Sequence, residues 1–221
     1  SPIPPFPKEF RDQTVRMIVR TSNGGKALRL QLANSQGLAP VKVGAVHVAL
    51  HTSGAAIDAA TDHIVTFGGS SSITLHPGAL VVSDPVDLAL APLTELAVSL
   101  YLPESSDTRA VHELGLNTTY IAQGNAVAAA TLQATQTNRS YFWLTGIEVA
   151  TDLSAASIVA FGDSITDGFS TTADRHQAWP ALLAERLQQQ ADTRQRGIIN
   201  MGISGNRVLR NGAGSSALIR F

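Results

Sequence analysis

Ile158-Val159-Ala160-Phe161-Gly162-Asp163-Ser164-Ile165-Thr166-Asp167-Gly168 is the stretch whose reading decides the fold. Four apolar residues are cut off by Gly162, the pattern of a buried strand, most naturally of a parallel sheet. A glycine at the strand end lets the backbone turn sharply. Ser164 then falls just past the carboxyl end of the strand, where open α/β sheets place their ligands. Two roles for Ser164 are open from these residues. It can start a helix, since Ser and Asp are favoured caps. It can also be a nucleophile, because a strand-to-helix turn exposes the hydroxyl and points backbone N–H groups toward an oxyanion formed beside it.

Outward from that stretch, Trp179, Leu182, Leu183 and Leu187 fall at helical spacing, with Pro180 tolerated in the first turn. Gly197-Ile198-Ile199 opens a second apolar run that ends in the glycine-rich Gly202 to Gly205. Strand, helix, strand in this order predicts a right-handed βαβ unit. Two adjacent strand ends would then bring Ser164 and the Gly205 amide toward one crevice.

These residues resemble a known family. Phe161 to Gly168 is similar to the first block of the GDSL, or SGNH, hydrolases, and Asn200-Met201-Gly202-Ile203-Ser204-Gly205-Asn206 to their second. Trp179 to Leu183 matches the helix that lies between the two blocks. The resemblance implies Ser164 as catalytic nucleophile, with the N–H groups of Ser164 and Gly205 as oxyanion donors. It implies an SGNH-type parallel-sheet (flavodoxin-like) α/β catalytic domain, incomplete in these residues. The family's asparagine donor and its Asp and His, three residues apart, are absent from this sequence. A C-terminal segment or second polypeptide is therefore expected to supply them, docked after a nick near Phe221 or continuing the chain.

Upstream the grammar is different. Val15, Met17 and Val19 alternate with Arg16, Ile18 and Arg20, then Asn23-Gly24-Gly25 turns, then Leu28, Leu30 and Leu32 alternate with Arg29 and Gln31. This reads as a hairpin with one face in water. Further strands are expected over 41–50, 63–67, 73–75, 79–82, 96–102, 120–122, 128–132 and 141–149. Many short strands with close turn signals predict a β-sandwich or jelly roll. The expected division is an accessory β-domain over 1–153 and the hydrolase part over 154–221, after an extended, Pro-rich lead-in.

Composition limits the alternatives. The chain has 221 residues, 44% hydrophobic and 15% charged, enough apolar surface for a core. A net charge of -1 leaves no footprint for nucleic acid. No basic amphipathic stretch or long apolar run points to a membrane. The absence of cysteine excludes disulfides, thiolate nucleophiles and Cys-based zinc sites. The spacings of His47, His51, His63, His76 and His112 match no zinc signature, so they read as strand histidines. No metal or organic cofactor is expected. The sequons at Asn117 and Asn138 matter only in a eukaryotic secretory pathway.

Around the site, Asp163 reads as a loop-bracing acceptor and Asp167 as an Asx-type turn residue. Asn206 braces the second loop or touches substrate. His176 reads as loop packing or hydrogen bonding at the helix start, with a role as base as the alternative. Tyr141 and Trp143 either pack the sandwich or form an aromatic platform for sugars.

The expected reaction is ester hydrolysis through an acyl-serine intermediate. A β-domain ahead of the hydrolase resembles secreted carbohydrate esterases. That favours small-molecule or polysaccharide acyl esters as substrate and a secreted or periplasmic location. A lipid or aryl ester is the alternative substrate, and a glycan-binding module joined to an inactive partial hydrolase is the alternative function.

Overall fold

A computed structural model describes residues 7, 9–151, 154–212 and 215–220. The lead-in before Pro7, the boundary near 153 and the point near Phe221 fall largely or wholly outside the described residues. The Glu95–Leu102 strand is central, pairing antiparallel with Gln13–Arg20 on one side and Ala45–Ser53 on the other. Thr119–Gln123 and then Gln136–Asn138 extend that sheet beyond Gln13–Arg20, while Ala56–Ile57 and His63–Ile64 both pair with Ala45–Ser53. Leu144–Val149, Leu28–Ala33 and Leu80–Val82 form a second antiparallel sheet.

Period-two alternation sends one face of each sheet inward. Val15, Met17, Val46, Val48, Leu96, Val98 and Leu100 from the first sheet meet Leu28, Leu30, Leu32 and Leu144 from the second in one core. Each such Leu or Val contributes about 1.5–3 kcal/mol when fully buried. This is the sandwich-like β-domain that the short alternating runs predict.

Several local expectations are corrected. Gln13–Arg20 and Leu28–Ala33 do not form a hairpin; they lie in different sheets. The segment between them crosses the sandwich, with Gly25 bridged to Leu90. The expected strand over 41–50 breaks at Gly44, whose N–H donates to the Tyr101 carbonyl. It becomes Val41–Val43, paired with Ile73–Leu75, and Ala45–Ser53. Residues 128–132 form only an isolated bridge, between Ala56 and Thr131. The run over 141–149 is interrupted at Trp143, where φ is 58°.

Arg16, read as solvent-facing, is 0% exposed. Its guanidinium donates to Ser99 Oγ (2.8 Å) and to the carbonyls of Ala55 (2.7 Å), Val127 and Ala129 (both 2.9 Å). Four acceptors around the guanidinium are what permit a buried cation. Burial still pushes its pKa below the ordinary guanidinium value, against the opposing pull of Asp62.

The expected flavodoxin-like parallel sheet is overturned. The structure is 41% strand and 10% helix, its sheets are mostly antiparallel, and no parallel flavodoxin-like core is present among the described residues. Among the described residues parallel pairing is confined to Ala156–Gly162 with Arg196–Gly202. Two strands and one helix, Trp179–Gln188, cannot cover both faces of such a sheet. Accordingly Ile158, Val159, Ile199 and Met201 are exposed, although the apolar run of 158–161 reads as buried.

This small unit is fastened to the sandwich by polar contacts. Arg20 pairs with Glu185 at 2.9 Å, and Ser22 Oγ both donates to the Ile198 carbonyl and accepts from the Ile198 N–H. Asp174 accepts from the Thr118 N–H and hydroxyl.

Candidate functional site

The register of the parallel pair runs from Ala156 opposite Arg196 to Gly162 opposite Gly202. Both strands therefore end level, and the chains leaving them emerge from the same edge. After Gly162, Asp163 is an extended N-cap whose carboxylate accepts from the Ile165 N–H at 3.0 Å. Ser164 is the first residue of a one-turn helix, Ser164–Asp167, closed by Gly168 at φ 117°. After Gly202, the Ile203 N–H donates to the Gly162 carbonyl, tying the second loop to the first strand. Gly205 follows in a left-handed turn at φ 71°.

The helix can sit on the strand tips only because both tip residues are glycine. A Cβ on Gly162 would come within 2.2 Å of Thr166 Oγ1, and one on Gly202 within 2.2 Å of the Asp167 amide nitrogen. Asn200 Nδ2 donates to the Thr166 carbonyl at 3.0 Å and its Oδ1 accepts from the Gly202 N–H, so it clamps the helix to the second strand. The sequence blocks contain Asn200 and Gly202, but spacing alone does not reveal these supporting roles.

Ser164 is half-buried and Gly205 is exposed. Neither their backbone N–H groups nor the Ser164 hydroxyl make a hydrogen bond among the described residues. The candidate nucleophile and the two candidate oxyanion donors are thus uncommitted. Asn206 is committed: its Nδ2 donates to the Ser215 carbonyl (2.7 Å) and its Oδ1 accepts from Arg220 (3.1 Å). It closes the second loop. Arg220 also donates to the Met201 carbonyl and lies 4.3 Å from the Phe161 ring centroid.

Three histidines near this region are each paired with a carboxylate. His176 Nε2 lies 2.5 Å from Glu95 Oε1, and His51 Nδ1 lies 2.6 Å from Glu95 Oε2. Burial disfavours charge on Glu95, yet hydrogen bonds from His176 and His51 and their positive charge outweigh it and lower the Glu95 pKa. His112 Nε2 lies 2.8 Å from Asp167 Oδ1. Asp167, read as an Asx-type turn residue, is a buried helix residue whose side chain pairs with His112, and a partner 55 positions away leaves no trace in local sequence.

A cleft of about 280 Å3, lined by Glu95, His51, Tyr120 and Asp174, opens between the sandwich and the 169–178 loop. Ser164 and Gly205 are not among its walls, so the candidate site rests on the strand tips. Among the described residues no group of three His, Asp or Glu side chains is arranged to hold a metal ion. None of the described helices is long and apolar enough to cross a membrane. Trp143 is 1% exposed and packs against Phe10 and Phe142, so it offers no face to a sugar.

A serine thus opens a helix at one strand tip, and a glycine-rich turn leaves the neighbouring tip. Residues 158–221 match the family model described as GDSL-like Lipase/Acylhydrolase. Over that segment the family resemblance holds, and it supports hydrolysis of ester substrates in general. No curated protein matches the chain.

Proposed function

We propose that this protein is a serine ester hydrolase whose nucleophile is Ser164 and whose favoured substrates are acylated carbohydrates. The observation that supports the reading is the level ending of the two parallel strands, from whose shared edge the segments carrying Ser164 and Gly205 leave. Ser164 Oγ attacks the ester carbonyl, the C–O bond to the alcohol breaks, and an acyl-serine remains for water to hydrolyse. The N–H groups of Ser164 and Gly205 hold the oxyanion of each tetrahedral intermediate. Asp163 and Asn206 brace the two loops.

A histidine must take the serine proton. Among the described residues neither His112 nor His176 makes a hydrogen bond to the Ser164 hydroxyl; their partners are Asp167 and Glu95. The base, its aspartate and a third oxyanion donor therefore come from a further C-terminal segment or second polypeptide. The exposed Ile158, Val159, Ile199 and Met201 give such a segment an apolar seat. We place the protein outside the cytoplasm, by analogy with carbohydrate esterases that carry a β-domain.

That neither histidine hydrogen-bonds Ser164 also favours a second reading, a glycan-binding module joined to an inactive hydrolase part. Acetate release from acetylated oligosaccharides by the full-length protein, compared with Ser164→Ala, separates the two. Release that Ser164→Ala abolishes supports the esterase. Oligosaccharide binding without release by the wild type supports the binder, and turnover of aryl or lipid esters alone changes the substrate class.

A further inference from the structure

We infer that His112, carried by the β-domain, is a positioning residue for the Ser164 turn and acts through Asp167. The inference rests on the reading of Ser164 as nucleophile. Ser164 and Asp167 are the two ends of a single helical turn, and the Ser164 carbonyl accepts from both the Gly168 and Phe169 N–H groups. Whatever holds Asp167 therefore holds Ser164.

The Asp167 side chain is 5% exposed, and His112 Nε2 at 2.8 Å is its only hydrogen-bond partner among the described residues. Arg220 is close enough for the Asp167 charge to act on its pKa, but forms no ion pair with it among the described residues. A buried carboxylate without a hydrogen-bonded partner is strongly disfavoured. His112 supplies that partner from a rigid base. The Val111–His112 strand pairs with Tyr141–Phe142, and Phe142 is fully buried in the sandwich core. The Tyr141 hydroxyl, which accepts from Asn117 and donates to the Ile18 carbonyl, fixes the neighbouring ring.

The backbone of Asp167 is packed as tightly as its side chain. Its amide abuts Gly202, and the Asn200 side chain reaches the Thr166 carbonyl. Two separate parts of the chain, the Arg196–Gly202 strand and the β-domain, thus converge on the nucleophile turn. The β-domain is then part of the site's framework, not only a tethered accessory. A nucleophile displaced by about 1 Å can lose on the order of 100-fold in rate, so a modest release of this anchor is measurable.

The test compares full-length wild type, His112→Ala, His112→Gln and Asp167→Asn. It reads the rate of Ser164 modification by a serine-directed phosphonate and the amide hydrogen exchange of residues 163–169. His112→Ala is expected to slow modification by about tenfold or more and to speed exchange in that segment. His112→Gln retains an Nε2 donor and is expected to recover most of both. Unchanged modification and exchange in His112→Ala overturn the inference, as does a Gln variant no better than Ala. If wild-type Ser164 is not modified, the nucleophile reading fails by itself and exchange decides the anchor. Faster exchange in His112→Ala supports it, and unchanged exchange overturns it.

Discussion

Gly162 and Gly202 face each other across the last rung of the parallel strand pair, and the single turn of Ser164–Asp167 rests on both. Neither position has room for a methyl group. Gly202→Ala drives a Cβ to 2.2 Å from backbone, which no side-chain rotation can relieve. Overpacking of this kind costs about 1–3 kcal/mol. Chemical denaturation should show that loss, and reaction of Ser164 with a phosphonate should slow in parallel. Gly162→Ala meets a side-chain oxygen, Thr166 Oγ1, so the double change Gly162→Ala with Thr166→Ala should regain part of the loss.

Arg16 locks the outer face of the large sheet to the loop over it. Arg16→Leu leaves the Ala55, Val127 and Ala129 carbonyls without their donor. Hydrogen bonds to a charged group and the penalty for orphaned acceptors together imply a loss of about 3 kcal/mol. A urea titration monitored by tryptophan fluorescence measures it, and a change under 1 kcal/mol would show that the network contributes little.

Glu95 links the sandwich to the 169–178 loop through His51 and His176. Folding lowers its pKa, so the unfolded chain binds the proton more tightly than the folded one. The stabilisation is complete above the ordinary carboxylate range and is lost as pH falls through the lower, folded-state value. Wild type should therefore lose more stability than Glu95→Gln between neutral and acidic pH. Parallel acid limbs in the two proteins would contradict the link.

The sequon asparagines are buried: Asn117 is 7% exposed and donates to Tyr141, and Asn138 is 2% exposed. Expression in a glycosylating host should yield folded protein without glycan at either position, as intact-mass measurement would reveal.

How much of this was legible varies with the range of the interaction. The Ile158–Gly168 stretch announces its strand, its glycine turn and its helix start, because those depend on neighbours. The alternation in 96–102 marks a strand for the same reason. Partner choice is another matter. Gln13–Arg20 pairs with strands about 80 and 105 positions away, and the intervening Asn-Gly-Gly mimics a hairpin turn while carrying the chain between sheets. Arg16 reads as wet because periodicity cannot foresee that a loop near 127 will bring carbonyls to it. The extent of the parallel sheet is not legible, because a family motif speaks for local turns, whereas a sheet is defined by the strands actually beside it. Asp167 shows the same limit at the site itself, since its partner His112 belongs to the other part of the chain.

The central claim is convergence: one serine oxygen and two amides, from adjacent strand tips, around one carbonyl-sized space. A crystal structure of the full-length protein after reaction with a serine-directed phosphonate tests it most directly. The expected result is phosphorus bonded to Ser164 Oγ, with one phosphoryl oxygen about 3 Å from the amide nitrogens of both Ser164 and Gly205. An adduct on another residue, or a phosphoryl oxygen turned away from Gly205, would contradict it.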